Sequence, residues 1–143
     1  MFLLDTNVVS ELRKAQSGRA NANVMRWVAR HPAESFFLSA ISLLELDTGV
    51  LLMERRDPAQ GRRLRDWLEK QVIPSFDTRI LPLDADVARR CALLHVPDRC
   101  ADRDAMIAAT ALVHKLTVVT RNTVDFAPTG VRVVDPWAGE GAP

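Results

Sequence analysis

The chain has 143 residues, of which 48% are hydrophobic and 26% are charged, and its formal net charge is +1. This length predicts one domain over residues 1–143, and the hydrophobic fraction excludes an intrinsically disordered protein. A net charge so close to zero does not indicate a nucleic-acid or membrane partner. Any affinity for nucleic acid must therefore come from local patches of charge.

The sequence contains no recognisable targeting or membrane segment. The N-terminus lacks the charged lead and apolar core of a signal peptide, and no apolar run reaches the roughly 18–20 residues that a membrane helix needs. Cys91 and Cys100 lack metal-ligand spacing, and we interpret them as reduced, small side chains that are buried or half-buried, because cytosolic disulfides are rare. These features favour a cytoplasmic protein.

Short apolar segments alternate with segments of helical periodicity along the chain. In chain order the predicted elements are a strand over 2–4, helices over 8–13 and 20–30, a strand over 35–38, helices over 40–56 and 59–72, a strand over 79–83, helices over 84–95 and 102–115, and strands over 116–120 and 131–134. Thr6 or Asn7 is the predicted cap of the first helix. Pro74 is predicted to end the helix over 59–72. The alternation predicts right-handed crossovers and an α/β fold with a mostly parallel central sheet covered on both faces.

Three acids stand in segments that are otherwise apolar. Asp5 follows the first strand, Glu45 lies within Ile41–Leu46, and Asp104 heads the most apolar helix. Each acid alone is explained by a helix cap, an exposed position or the helix dipole, but a buried carboxylate is costly unless it is paired or binds a metal. Because ligands bind beyond the carboxyl ends of parallel strands, the three together predict a negative pocket. Mg²⁺ or Mn²⁺ is the cation that such oxygen ligands favour, and it would serve phosphodiester hydrolysis.

Further polar residues lie near the same predicted crevice. Asn122 and Asp125 follow the strand that ends at Thr120. Arg13, Lys14 and Arg121 are candidate RNA-binding residues, since cations at the edge of such a pocket would contact phosphates. We interpret the denser basic stretch over 55–65 as a solvated helix face, because acids are interspersed with its arginines.

Five segments, in order along the chain, resemble motifs of the PIN-domain ribonucleases, especially the VapC-type toxins and the FitB group. The segments are Leu4–Glu11, Ser39–Leu46, Asp104–Ala111, Val118–Phe126 and Val133–Trp137. The resemblance implies a three-layer α/β/α sandwich and an Mg²⁺- or Mn²⁺-dependent endoribonuclease. It also implies the following roles: Asp5, Glu45 and Asp104 as metal ligands, Thr6 and Thr120 as their hydrogen-bond partners, and Asn7 as a brace for the loop after the first strand.

The same resemblance implies biological partners. Members of this group are commonly toxins that form homodimers and are bound by a cognate VapB-type antitoxin, which supplies the contact with operator DNA. Transfer RNA and ribosomal RNA are the substrate classes it implies. Many members carry a fourth acid directly after the Thr-Arg pair, where this chain has Asn122, so we expect Asn122 to support the ligands and leave the role of Asp125 open.

Two alternative functions follow from single residues. The loss of a charge at Asn122 is compatible with a catalytically weak or inactive PIN module that binds RNA or a partner without cutting. Phosphotransfer on Asp5, as in haloacid-dehalogenase phosphatases, is disfavoured because those enzymes need a second Asp where this chain has Asn7.

Overall fold

The computed structural model describes residues 1–139 and contains a five-stranded sheet with the strand order β3-β2-β1-β4-β5. The strands are β1 Phe2–Leu4, β2 Phe36–Ser39, β3 Ile80–Leu81, β4 Thr117–Val119 and β5 Val133–Val134. All four neighbouring pairs are parallel, and Leu4 of the central strand lies opposite Leu38 and Val119. The predicted parallel sheet is confirmed, and β1 lies at its centre.

Helices connect the strands and cover the sheet. They are α1 Thr6–Arg13, α2 Ala22–Ala29, α3 Ala40–Arg56, α4 Pro58–Trp67, α5 Ile73–Ser75, α6 Ala85–Leu94, α7 Asp102–His114 and α8 Thr123–Phe126. Within residues 1–139, no helix combines the length and the apolar composition needed to cross a membrane.

The core has two main parts, one on each face of the sheet. Leu3 packs with Ile107 of α7 and with Phe126, whereas its neighbour Leu4 packs with Val8 of α1 and Leu68 on the other face. Both leucines are buried, as expected for a central strand that is covered on both sides. This arrangement confirms the three-layer α/β/α sandwich.

The predicted helix end at Pro74 is wrong. A π-helical turn over Leu68–Val72 follows α4, and the chain then remains helical through α5, which contains Pro74. Proline has no backbone N–H to donate and is tolerated in the first turn of a helix. The wider turn before it shifts the hydrogen-bond ladder, so that Pro74 lies at the start of a new helical segment.

Both cysteines are free thiols, as the sequence predicts. Cys91 is buried and Cys100 is half-buried. Burial raises the pKa of the Cys91 thiol, with smaller contributions from nearby Asp102 and Cys100. A protonated, buried thiol is a packing residue rather than a nucleophile.

Candidate active site

Asp5 lies at the carboxyl end of the central strand and caps α1. Its Oδ1 accepts a hydrogen bond from the Thr6 backbone N–H at 2.8 Å, and its Oδ2 accepts one from Thr120 Oγ1 at 2.7 Å. Asn7 Nδ2 lies 3.4 Å from the same Oδ2. Asp5 itself is only 5% exposed. Because Asp5 is the cap, α1 begins at Thr6, and the predicted cap at Thr6 or Asn7 is wrong.

Glu45 reaches the same region from α3. Its Oε1 accepts a hydrogen bond from Thr6 Oγ1 at 2.8 Å, and its Oε2 lies 3.6 Å from Nη1 of Arg103. Thr6 thus uses its backbone N–H for Asp5 and its hydroxyl for Glu45. A single residue at the start of α1 therefore fixes the two acids relative to each other.

Asp104 lies in the first turn of α7 and is coupled to the other acids by charge. Burial raises its pKa above the ordinary value, and repulsion from Asp5, Asp125 and Glu45 raises it further. The pKa of Asp5 is also raised, mainly by burial, although its hydrogen bonds with Thr120 and Thr6 lower it. These two shifts indicate that the carboxyl groups of Glu45 and Asp125 lie close enough to those of Asp5 and Asp104 to add to one negative region beyond the sheet.

The structure distinguishes Asn122 from Asp125. The backbone N–H of Asn122 donates to Thr120 Oγ1 at 3.0 Å, so Asn122 helps to orient the hydroxyl that binds Asp5. Asp125, on the short helix α8, repels both Asp5 and Asp104. Of the two open positions, Asp125 is therefore the one that adds negative charge to this region.

The donor chemistry of the acids fits a divalent cation. Carboxylate oxygens are the ligands that Mg²⁺ and Mn²⁺ prefer, and a cation would relieve the repulsion that raises the pKa values of Asp5 and Asp104. Over residues 1–139, however, no three acidic, histidine or cysteine side chains are already arranged as a group that can hold a metal ion. The charge of the site fits a cation, and the ligand geometry stays a prediction.

A family comparison identifies this arrangement. The model of the PIN domain matches residues 2–130, which include all four acids. The chain belongs to the PIN-domain family. This result confirms the resemblance that the five sequence motifs carry.

Curated PIN-domain relatives match almost the whole chain. It is 38% identical to the VapC ribonuclease Y4jK of Sinorhizobium fredii, over 96% of this chain and 98% of that protein. It is 40% identical to the toxin FitB of Neisseria gonorrhoeae, over 96% of this chain and 99% of that protein.

Solved structures agree with the curated relatives. The crystal structure of FitAcB from Neisseria gonorrhoeae superposes with a TM-score of 0.86 at 38% identity, covering 96% of this chain and 99% of that chain. A toxin–antitoxin complex from Klebsiella pneumoniae matches with a TM-score of 0.64 at 29% identity, covering 95% of this chain and 98% of that chain. The fold assignment therefore extends over nearly the full length.

The three basic residues predicted near the PIN-domain acids lie in two different places. Arg13 and Lys14 line a groove between the end of α1 and α4, together with Arg19, Arg63 and Lys70, and none of the four acids lines that groove. Lys14 also lies 3.2 Å from Glu11 Oε1, which compensates its charge.

Arg121, by contrast, directly follows Thr120. Its backbone N–H donates to Asn7 Oδ1 at 3.4 Å, so its main chain is tied to the loop that carries Asp5. Its guanidinium lies 5.4 Å from the ring centroid of Trp137. Of the three predicted basic residues, Arg121 is thus the one whose main chain is bound to the loop that carries Asp5.

Sequence reasoning missed two residues of this PIN-domain site. Arg103 was absent from the prediction because Asp102, Arg103 and Asp104 have the charge pattern of an ordinary solvated helix start. Trp137 belongs to a recognised motif, but no local signal indicates that its ring lies beneath Arg121. The Trp137 carbonyl also accepts a hydrogen bond from Asn23 Nδ2 at 2.9 Å, which fixes the C-terminal turn against α2.

Proposed function

We propose that this chain is the toxin of a toxin–antitoxin pair and acts as an Mg²⁺- or Mn²⁺-dependent endoribonuclease. The observation that carries the proposal is the hydrogen-bonded link from Asp5 through Thr6 to Glu45 at the carboxyl end of a PIN-domain sheet, with Asp104 and Asp125 near enough to interact by charge. Its relatives are named a VapC ribonuclease and a FitB toxin, which supports hydrolysis of RNA as the reaction.

The acids and the threonines that donate hydrogen bonds to them have different roles in the proposed reaction. Asp5, Glu45 and Asp104 would hold the ion, with Asp125 adding negative charge, and the bound ion would supply a water of lowered pKa and neutralise charge on the leaving oxygen. Thr120 and Thr6 donate hydrogen bonds to the Asp5 carboxylate, and these favour its ionised form against the effect of burial. The chain's own contribution is to orient the Asp5 oxygens and to oppose the rise in its pKa that burial causes.

The partners follow from the same family. A cognate VapB-type antitoxin would bind this chain and supply the contact with operator DNA, and the toxin would form a homodimer. The match to a structure titled a toxin–antitoxin complex supports the antitoxin. Transfer RNA and ribosomal RNA are the proposed substrate classes.

A cleavage assay tests the reaction. Antitoxin-free protein is incubated with transfer RNA and ribosomal RNA in Mg²⁺ or Mn²⁺, with chelator as the blank. Asp5→Asn keeps a side chain that can cap α1, and Asp86→Asn is the matched control because Asp86 is an exposed acid on α6. We expect wild type and Asp86→Asn to cut, and Asp5→Asn to lose more than the roughly 10–100-fold that residues behind the ligands typically contribute.

The competing function is a PIN module that binds without cutting. Asn122 favours it, because the position carries no charge in this chain. The two functions separate in cells, where a nuclease arrests growth only with its acids intact. Equal growth arrest by wild type and Asp5→Ala would reject catalysis and favour the binding module.

A further inference from the structure

We propose that Arg103 and Arg121 form a two-sided phosphate clamp across the acid pocket; the proposal rests on the proposed ribonuclease function. Four carboxyl groups gathered beyond the sheet repel the phosphates of an RNA strand. A strand that crosses this pocket must therefore be held by cations on its borders. The guanidinium of Arg103 contacts one of the acids, and the main chain of Arg121 is bound to the loop that carries another.

Arg103 borders the pocket on the Glu45 side. Its Nη1 lies 3.6 Å from Glu45 Oε2, and its side chain is 55% exposed. A guanidinium has five N–H donors in a flat fork, and this long contact with one oxygen leaves most of them open to solvent. Arg103 is thus anchored near the acids and still able to bind a phosphate in bidentate fashion.

Arg121 borders the pocket on the other side of Asp5. It is exposed, and it follows Thr120, the residue that donates to Asp5 Oδ2. Its guanidinium is braced on Trp137, whose carbonyl is in turn bound by Asn23. A cation–π contact does not use N–H groups as hydrogen-bond donors, so the contact with Trp137 restrains Arg121 without consuming its donors.

The sheet order places the two arginines on opposite sides. Arg103 of α7 reaches Glu45 of α3, the helix that follows β2, whereas Arg121 follows β4. In the strand order, β2 and β4 flank β1, the strand that delivers Asp5. Each arginine would therefore bind a phosphate on its own side of the one positioned over Asp5.

The test is the salt dependence of RNA binding by the full chain in chelator, where no cleavage occurs. For single strands, log K falls with log[salt] by about 0.7 per phosphate contact. We expect Arg103→Gln and Arg121→Gln each to reduce the slope by about 0.7, and the double variant by about 1.4. Arg99→Gln is the matched control, because Arg99 is an exposed arginine that pairs with Asp102 rather than with the four acids.

Lysine variants guard against a folding artefact. Arg103→Lys and Arg121→Lys keep the charge and should restore the slope, while losing the affinity that bidentate contacts supply. Trp137→Leu should weaken binding through Arg121, and Trp137→Phe should restore part of it because an aromatic face remains.

The outcomes separate the clamp from the ribonuclease. Unchanged slopes for both glutamine variants of a protein that binds and cuts RNA would overturn the clamp and leave the nuclease standing. A slope that changes in only one of the two glutamine variants would overturn the two-sided character of the clamp. A wild-type protein that neither binds nor cuts RNA with either metal would overturn the proposed function, and the clamp with it.

Discussion

Among neutral side chains, Thr120 lowers the pKa of Asp5 the most. Its hydroxyl donates to Asp5 Oδ2 at 2.7 Å and accepts from Asn7 Nδ2 at 3.2 Å and from the Asn122 N–H at 3.0 Å. The two N–H donors leave the hydroxyl hydrogen only one partner, which is the carboxylate. Thr120 therefore orients Asp5 and opposes the burial that raises its pKa.

Replacing Thr120 with Val should raise the pKa of Asp5 further. A higher pKa moves the acid limb of the activity profile to higher pH, and we expect neutral-pH activity to fall by about 10–100-fold. Thr120→Ser retains the hydroxyl and serves as the control. The measurement is the rate of RNA cleavage against pH, and identical acid limbs for the Val variant and wild type would contradict this role.

In the protein without metal, Asp5 should lower the free energy of unfolding at neutral pH. Its folded pKa lies above the ordinary value of 3.8, so the folded state binds more protons and stability falls as pH rises above 3.8 through the folded pKa. Asp5→Asn removes this loss, and its Tm without metal should exceed that of wild type at pH 7. The excess should shrink as pH falls toward 3.8.

Divalent metal supplies the control for that comparison. A ligand that binds only the folded state stabilises it by an amount that grows with the logarithm of one plus its concentration over Kd, and so raises the Tm of wild type. Mn²⁺ should therefore raise the Tm of wild type far more than that of Asp5→Asn. Equal shifts in the two proteins would show that the ion binds elsewhere.

Individual residues were predictable where their own surroundings in the chain are unusual. Asp5 and Glu45 stand out because apolar residues flank them, and Asp104 heads an apolar helix. Arg103 and Trp137 depend instead on partners far along the chain, such as Asn23, which is 114 residues from Trp137. Contacts between residues so far apart in the sequence leave no local periodicity or spacing from which they could be predicted.

At the scale of elements, α3 and α4 form a closely packed helical pair. Arg65 of α4 joins them, with Nη1 2.8 Å from Asp47 Oδ1 and Nη2 2.9 Å from Glu54 Oε1. Gly61 of α4 lies against the backbone of Glu54, where an added Cβ would be 2.6 Å from the Glu54 nitrogen. The helices approach this closely because residue 61 has no side chain.

Gly61→Ala should therefore destabilise the protein, although alanine favours helices. The clash is with backbone, which cannot rotate away, and overpacking of this kind typically costs about 1–3 kcal/mol. Gly49→Ala is the matched control: an added Cβ has nothing within 4 Å, and helix propensity predicts a gain of up to about 1 kcal/mol. Urea unfolding of both variants measures the difference, and a stabilised Gly61→Ala protein would refute the close approach.

Element types were predictable from the sequence, whereas some boundaries were not. The sequence located α3 and α7 because the apolar segments that indicate them lie within the elements themselves. The continuation of helix past Pro74 depends on the π-helical turn over Leu68–Val72, which has no simple sequence signature. The strand predicted over 79–83 is reduced to Ile80–Leu81, since Pro82 cannot donate to a neighbouring strand.

At the scale of the whole molecule, pH should affect stability through an aromatic cluster beside the sheet. The ring of His31 lies 4.7 Å from that of Phe2 and 4.6 Å from that of Trp27, measured between centroids. Burial lowers the pKa of His31 below 6.5, and Arg30 and the N-terminal amine lower it further. The folded state therefore prefers the neutral imidazole.

Acid should weaken the fold through this histidine. Because the pKa of His31 is lower in the folded state, the unfolded state binds more protons. The contribution of His31 to stability is therefore fully present above pH 6.5 and is lost as pH falls from there through the folded pKa. His31→Phe keeps an aromatic ring and removes the proton, so its urea midpoint should change less between pH 7.5 and 5.5. A wild-type protein with the same pH dependence as this variant would contradict the assignment.

The overall architecture was more predictable than its topology. Alternation of apolar strands with helices is sufficient to predict a parallel sheet covered on both faces. The order β3-β2-β1-β4-β5 requires knowledge of which strands pair, and β1 pairs with β4 across more than a hundred residues. That pairing depends on packing of the complete core, which no single segment encodes.

The central position of β1 has a consequence for the order of folding. Asp5 and Thr120 are 115 residues apart in the chain, and their hydrogen bond can form only once β4 has paired with β1. A partly folded chain in which β4 has not yet docked lacks one side of the sheet. Its Asp5 carboxylate also lacks the Thr120 hydrogen bond, so the acids reach their final arrangement only in the fully assembled sheet.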